Sequence, residues 1–483
     1  MFLRHIPLFA IVLPIFGGVF SHAATESDEL ILGARHALAG YRAEIERLAV
    51  ENPDDAQRIR QVLLSAEPDR IYLPRLPLEF GAAQNSPVSL EQRKKYAEEQ
   101  FQRAKQAAAR NRGNLAMQLA ISAIEANPDH AEIRKLFGFK LYENCWRTTW
   151  EVDRLRKGFV DHPIFGWMPK THVDRYEAGE RFFKGRWVSA AEDAKLRETI
   201  ANGWEVETEH YQLRTNLSLE EGVQLSRRLE HFYRGWKLLF FRFQLTDAAL
   251  SRMFRGTASS GAPPRHRVLL YRSKAEYIAG LRGLELNPQM LELSGGCYFL
   301  PTKTAHFYPI DDAMDAFDKD FIRRTLYHEG THQLFQETRS SALPGQTANY
   351  WIAEGIAMFM ETFRVEENHY VIGDADDTRL EAAKKHKLEH NFYIPFDKLV
   401  QWDQNTFLSF SQIQRLYSQT AGMTHFLMLT EDGRYRDHVI QLLLLTYSGS
   451  DRANSLSTLT GRTFKQLDEE YDRFLRDALE IKP

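Results

Sequence analysis

Residues 328–332 of this 483-residue chain read His-Glu-Gly-Thr-His, residue types that could hold a metal ion and a base side by side. On a helix, His328 and His332 lie one turn apart and about 40° apart around the axis, so both imidazoles can reach one ion. Glu329 then lies on the adjacent flank, where its carboxylate can contact a water on the ion instead of the ion itself. The pattern also arises by chance, so a second feature has to support it.

A carboxylate follows 22 positions after His332, in the segment 350–364. Glu354 stands among apolar residues such as Trp351 and Ile356, and a carboxylate in that setting is costly unless it is paired or bound to a metal. Two histidines and one carboxylate, with a fourth position left for water, are the usual protein contribution to a catalytic zinc site. The sequence therefore predicts one Zn²⁺ ion.

These two segments resemble the gluzincin metallopeptidases, and more closely a peptidase MA-like bacterial branch whose third-ligand motif reads W-x-x-E-G-x-A. The residues that match this motif are Trp351, Glu354, Gly355 and Ala357. The resemblance extends over about 204–475, and it includes a stretch from Tyr417 to Leu427 and a motif from Thr460 to Asp468. It implies zinc held by His328, His332 and Glu354, with Glu329 as the general base in hydrolysis of an amide.

The family pattern is not matched at every position. Many gluzincins place an aspartate four residues after the third ligand to hold the first histidine, and here that position is Met358. Glu361 lies on the same helical face as Glu354 and is our candidate for that role, the alternative being a solvated glutamate. Gly330 inside the motif costs a helix about 1 kcal/mol relative to alanine, and it would permit close packing.

An oxyanion formed during hydrolysis needs one more donor besides zinc. Tyr417 and His425, eight residues apart on a helical stretch, are the candidate catalytic residues, with a structural role as the alternative. The strand predicted at Thr304–Tyr308 corresponds to the edge strand that lines gluzincin clefts and pairs with extended substrates. His306 and Tyr308 would then face the cleft, unless they only pack the strand.

The elements that must position these residues lie in 204–483. Alternation at 205–215 and the run 266–271 predict strands, and two short strands follow at Gly296–Leu300 and Thr304–Tyr308. A long helix begins after Ser218, with Glu221 three positions on, and the chain from 317 onward is mostly helical in pattern. We predict an α+β fold, a zincin-like metallopeptidase domain with a small mixed sheet and active-site helices.

The preceding chain divides into two parts. Residues 24–140 predict an all-α, tetratricopeptide-like region, with helices at about 90–112 and 114–126. Such arrays usually need about three units to stand alone, so this region is either a hairpin packed on its neighbours or a partner-binding module. Residues 141–203 predict a linker in which 145–155 and 186–196 echo each other.

Each half of that echo has a tryptophan followed by a capping box. Thr148 with Glu151 and Ser189 with Glu192 are the two boxes, so each half predicts a tryptophan-bearing turn that leads into a short helix.

Residues 1–23 predict a cleaved export signal. Arg4 precedes an apolar run of about 15 residues, too short for a comfortable bilayer span, and small residues end it at Ala23. The protein is therefore expected to be periplasmic or secreted, with an uncleaved membrane anchor as the alternative. No later run is long enough to predict a transmembrane span.

Composition narrows the remaining choices. A formal net charge of -3 gives no excess for binding nucleic acid. Two cysteines, Cys145 and Cys297, cannot build a disulfide scaffold or a sulfur-rich zinc site, and they are either one disulfide or two thiols. The expected partners are a protein or peptide substrate and, through the helical region, another protein.

Three functions fit these observations. The first is an exported zinc peptidase, the second a zinc amidase acting on cell-wall peptides, and the third a non-catalytic metal-binding scaffold. An intact Glu329 argues against the third, because a purely structural metal site has no need of a base.

Overall fold

The computed structural model describes residues 29–60, 70–81, 86–256, 265–282, 284, 288–309, 316–339, 341–374 and 377–480. The predicted export signal at 1–23 lies outside these residues. Within them, no helix combines the length and the apolar character that crossing a membrane requires. The fold is mixed α+β, as predicted.

The amino-terminal part is a helical layer with one strand. Its helices, α1 to α5, are Glu29–Glu51, Ala56–Arg60, Leu90–Ala109, Gly113–Ala126 and Ala131–Leu136. The hairpin of α3 and α4 confirms the two helices predicted here, and fully buried alanines such as Ala104 and Ala120 let them approach closely. The prediction that this region is wholly helical was wrong, however, because Ile71–Pro74 forms strand β1.

Three hairpin-and-helix units follow, where the sequence indicated two. The first contains β2 (Phe139–Tyr142), β3 (Cys145–Thr148) and α6 (Thr149–Arg156); the second β4 (Phe159–His162), β5 (Gly166–Pro169) and α7 (Val173–Glu177); the third β6 (Glu180–Phe183), β7 (Arg186–Ser189) and α8 (Ala190–Leu196). Both predicted helix starts are confirmed, since Thr148 accepts from the backbone N–H of Glu151 and Ser189 from that of Glu192.

A five-stranded mixed sheet lies at the centre of the remaining chain. Its strands are β8 (Trp204–Glu207), β9 (Tyr211–Thr215), β10 (His266–Leu270), β11 (Gly296–Phe299) and β12 (Thr304–Phe307). Their order is β11-β12-β10-β9-β8, with β10 parallel to both neighbours and the two outer pairs antiparallel. The helices between them are α9 (Leu219–Leu239), α10 (Phe241–Gln244), α11 (Asp247–Phe254), α12 (Lys274–Leu281) and α13 (Pro288–Leu293).

The last part is mostly helical, as predicted. Its elements are α14 (Ala316–Arg339), α15 (Tyr350–Met360), β13 (Arg364–Val365), β14 (His369–Ile372), α16 (Thr378–Leu388), α17 (Phe396–Leu399), α18 (Gln404–Leu408), α19 (Ile413–Gly433), α20 (Arg436–Ser448), α21 (Ser455–Thr460) and α22 (Phe464–Glu480). One hydrophobic core joins these helices to α9 and to the sheet, while a second core fills the amino-terminal helices.

Candidate metal site

The histidine motif lies in the middle of α14, which packs on the sheet and on α9. Gly330 faces Phe232 of α9, and a Cβ at this glycine would lie 3.1 Å from the ring. The expected close packing is therefore present, and it explains a glycine that helix propensity alone disfavours. His328 and His332 are partly buried on one face of the helix.

The third ligand candidate lies on α15, all of whose residues are buried. This helix lies so close to α19 that a Cβ at Gly355 would come within 2.2 Å of the Thr424 hydroxyl. The glycine that follows Glu354 thus sets the distance between the two helices. The side chain of Glu354 is 7% exposed and turns toward the histidines.

His328, His332 and Glu354 come together as the sequence predicts, with one ligand atom from each within 4.8 Å of the others. The two Nε2 atoms are 3.2 Å apart. Glu354 Oε2 lies 3.4 Å from His328 Nε2, and its Oε1 lies 3.7 Å from His332 Nε2. Tetrahedral ligands at zinc's usual bond length of about 2.0 Å are roughly 3.3 Å apart, so the donor set and its spacing fit zinc.

Glu361 holds the far side of the first histidine, as expected for a carboxylate that orients a ligand. Its Oε1 lies 2.9 Å from His328 Nδ1, and its side chain is only 1% exposed. With Nδ1 donating to this carboxylate, Nε2 is the ring nitrogen that faces the cluster. Once the ring loses its second proton to a metal, this contact keeps the remaining proton on Nδ1.

The pKa values of the three proposed ligands are shifted by burial and by one another. Burial lowers the pKa of His328, but its hydrogen bonds to Glu354 and Glu361 outweigh burial and raise it to about 10. Burial raises the pKa of Glu354, but the nearby charge of His332 and the hydrogen bond from His328 hold it at about 2. Burial lowers the pKa of His332. Without an ion, the cluster therefore keeps Glu354 ionised and holds a proton on His328, a positive charge that a metal ion would replace on binding.

The proposed base, Glu329, is held by the edge strand of the sheet. Its Oε2 accepts a hydrogen bond of 2.7 Å from the backbone N–H of Tyr298 on β11. β11 is the edge strand on this side of the described sheet. The expectation that Thr304–Tyr308 forms the edge was wrong, because β12 lies between β11 and β10. His306 is buried against the Tyr271 hydroxyl, and Tyr308 donates to the Ser294 carbonyl, so both pack the sheet.

Tyr350 is a site residue that the sequence reasoning missed. Its hydroxyl donates to Glu354 Oε1 over 2.7 Å from one turn earlier on α15. Burial and the Glu354 charge raise its pKa well above the usual range, so it remains a donor. The only signal in the sequence was the i, i+4 spacing of a tyrosine and a buried acid.

Tyr417 and His425 occupy different surroundings on α19. Burial, with the charges of Glu354 and Glu329, raises the pKa of Tyr417 above its usual range, so its protonated phenol lies within the electrostatic reach of both carboxylates. The described contacts of His425 are instead with the Ala421 carbonyl, 2.9 Å from Nδ1, and with the Phe359 ring. The charges of the cluster thus act on the pKa of Tyr417, whereas the described contacts of His425 do not reach the cluster. A catalytic role for either stays a prediction.

The two cysteines are separate thiols. Cys145 lies on β3 and Cys297 on β11, and both are free. Burial and the charge of Glu329 raise the pKa of Cys297 to about 12, which disfavours a thiolate.

Comparison with known proteins adds one similarity. Residues 322–443 match a family model described as a protein of unknown function, DUF1570. No curated protein matches the chain. The matched segment contains the histidine motif, Glu354, Glu361 and Tyr417, whereas the edge strand β11 lies outside it.

Proposed function

We propose that this protein is a zinc-dependent peptidase of the gluzincin type, exported through a signal within residues 1–23. The observation that carries the proposal is the convergence of His328, His332 and Glu354 at spacings that fit tetrahedral zinc, with Glu329 on the same helix. We also propose a zincin-like fold for 204–483 and a tetratricopeptide-like region of amino-terminal helices that binds another protein.

The chemistry divides between the ion and the chain. Zinc, when bound, supplies a Lewis acid that lowers the pKa of a water and polarises an amide carbonyl. Glu329 accepts the proton of the attacking water and carries it to the leaving amine. Its Oε2 is fixed by the Tyr298 N–H, so its other oxygen remains for proton transfer.

Two further groups support hydrolysis over simple metal storage. The Tyr417 phenol stays protonated and can donate to the oxyanion that forms on the carbonyl. β11 ends the described strand order of the sheet, and an edge strand can pair with an extended chain, which favours a peptide as substrate.

The Glu329→Gln variant tests this proposal. We expect it to keep about one zinc per chain and to lose about 10²–10⁴-fold in kcat/KM, because the amide cannot accept the proton. The assay uses casein-like peptides as substrates and, in a parallel series, purified cell-wall fragments. Glu469→Gln is the matched control, since Glu469 pairs with Lys465 at the exposed surface of α22.

Unchanged hydrolysis by Glu329→Gln would contradict the proposed mechanism. Hydrolysis of cell-wall fragments alone would move the substrate to the amidase alternative. A zinc-loaded wild-type chain that hydrolyses neither substrate would contradict the peptidase proposal.

A further inference from the structure

Arg379, on a helix that carries none of the proposed ligands, binds the Glu361 carboxylate that contacts His328. Arg379 lies in the first turn of α16, with its Nε 2.8 Å from Glu361 Oε2 and its Nη2 2.8 Å from Glu361 Oε1. Both Glu361 oxygens are thus held by one planar guanidinium, a paired geometry that restricts the carboxylate's rotation.

We propose that Arg379 is a positioning residue of the metal site, acting through Glu361 to hold the His328 imidazole in place for the ion. This inference rests on the metal site of the proposed function. It goes beyond that site because Arg379 contacts no ligand directly in the described structure, and because α16 has no other place in the proposed chemistry.

The two oxygens of Glu361 show why Arg379 is needed. Oε1 is the atom that accepts from His328 Nδ1, and Arg379 is the cation that holds Oε1. Arg324 also contacts Glu361, but through Oε2, at 3.0 Å. Without Arg379 the carboxylate would keep a cation on one side only, and Oε1 would be free to turn away from His328.

The position of Arg379 is itself fixed by Asp377, the residue that caps α16. Asp377 Oδ1 accepts from the backbone N–H groups of Arg379 and Leu380, while its Oδ2 contacts Arg324 Nη2 at 2.5 Å. Since Arg324 lies one turn before His328 on α14, this aspartate ties the start of α16 to the metal helix. These contacts form a closed ring of four residues, which are Glu361, Arg379, Asp377 and Arg324.

A purely electrostatic role and a positioning role for Arg379 predict opposite changes in metal affinity. A guanidinium near a cation site repels the cation, so a purely electrostatic role predicts that removing Arg379 tightens metal binding. A positioning role predicts weaker binding, because the histidine loses the partner that fixes its ring. The sign of the change therefore separates the two.

The test measures zinc affinity of the full chain by competition with a chelator. We expect Arg379→Gln to weaken zinc binding about 10-fold or more, the usual effect of losing a group that orients a ligand. Arg379→Lys should fall between wild type and Arg379→Gln, since it keeps the charge and loses the paired contact. Arg364→Gln is the matched control, because Arg364 pairs with Asp374 instead of Glu361.

A double variant shows whether Arg379 acts through Glu361. Glu361→Gln with Arg379→Gln should bind zinc within about twofold of Glu361→Gln alone, because the second change removes a contact that no longer has a function. Unfolding of each metal-free variant is recorded alongside, since a general packing defect would lower stability with and without zinc alike.

Four results would overturn the inference. They are unchanged or tighter binding by Arg379→Gln, additive losses in the double variant, an equal loss in Arg364→Gln, and a wild-type chain without zinc affinity. Failure to hydrolyse peptides does not enter this comparison, so the affinity data decide the inference even if the peptidase proposal fails.

Discussion

Two of the three proposed ligands are oriented by a neighbour that the ion itself would not touch. Glu361 holds His328 and Tyr350 holds Glu354; Tyr350 lies on α15 with Glu354 itself, and Glu361 is the C-cap residue of that helix. One helix and its C-cap residue therefore supply a ligand, the support of that ligand and the support of another. Such outer contacts commonly determine metal affinity as strongly as the ligands do.

The residues of this site were predictable to different degrees. The ligands followed from spacing, because i, i+4 histidines on a helix must share a face, and Glu361 followed from the two turns that separate it from Glu354. Tyr350 has only its i, i+4 spacing to Glu354 to distinguish it from the apolar residues around it. The Tyr298 donor is a backbone atom, so no side-chain motif could have indicated it.

Tyr350→Phe tests the support of Glu354. Removing the hydroxyl should weaken zinc binding about 10-fold and lower the free energy of unfolding by only about 1 kcal/mol. Zinc affinity by chelator competition and urea unfolding measure the two effects. Tyr471→Phe is the control, since its buried hydroxyl has no hydrogen-bond partner among the described residues. Equal zinc affinity in both variants would contradict a role for the Tyr350 hydroxyl in holding Glu354 for the metal.

At the scale of elements, local signals were predictable and non-local ones were not. The helix after Ser218 forms because its side chain caps the first turn, at 3.1 Å from the Glu221 N–H, and the sequence shows both residues. The middle hairpin unit escaped notice because Pro169, not Ser or Thr, precedes its helical turn. The order of β11 and β12 depends on contacts across the sheet, which no local pattern encodes.

Gly355→Ala tests the approach of α15 to α19. The added methyl would lie 2.2 Å from Thr424 Oγ1 and 3.1 Å from the Thr420 carbonyl, so we expect a loss of about 1–3 kcal/mol in the free energy of unfolding. Urea unfolding measures it. Gly40→Ala on α1 is the control, because a Cβ there meets nothing within 4 Å and alanine favours a helix. A neutral Gly355→Ala would show that the helices can separate without cost.

At the scale of the molecule, the amino-terminal helices are bound to the part that carries the site. Strand β1 pairs antiparallel with β14, from Ile71 opposite Ile372 to Pro74 opposite His369. The start of α4 also lies against α11, where the Asn114 N–H donates to Asp247 Oδ1 over 2.6 Å. A strand of four residues whose partner lies about 300 positions away has no local signature, which is why the sequence indicated only helices there.

Gly113→Ala tests this attachment. A Cβ at Gly113 would lie 2.1 Å from the Asp247 carbonyl oxygen, so α4 and α11 must move apart. We expect a loss of about 1–3 kcal/mol in the free energy of unfolding and faster proteolysis of the amino-terminal helices, with zinc affinity unchanged. Wild-type resistance to protease in Gly113→Ala would contradict a tight attachment.

The zinc content of the purified chain, measured by mass spectrometry of the metal after dialysis, tests the proposed metal site most directly. We expect about one zinc per wild-type chain and per Glu329→Gln chain, and close to none in His332→Ala or Glu354→Gln, because three protein ligands are the least that a catalytic zinc site commonly uses. A wild-type chain without zinc, or zinc that survives both ligand substitutions, would contradict the proposed metal site.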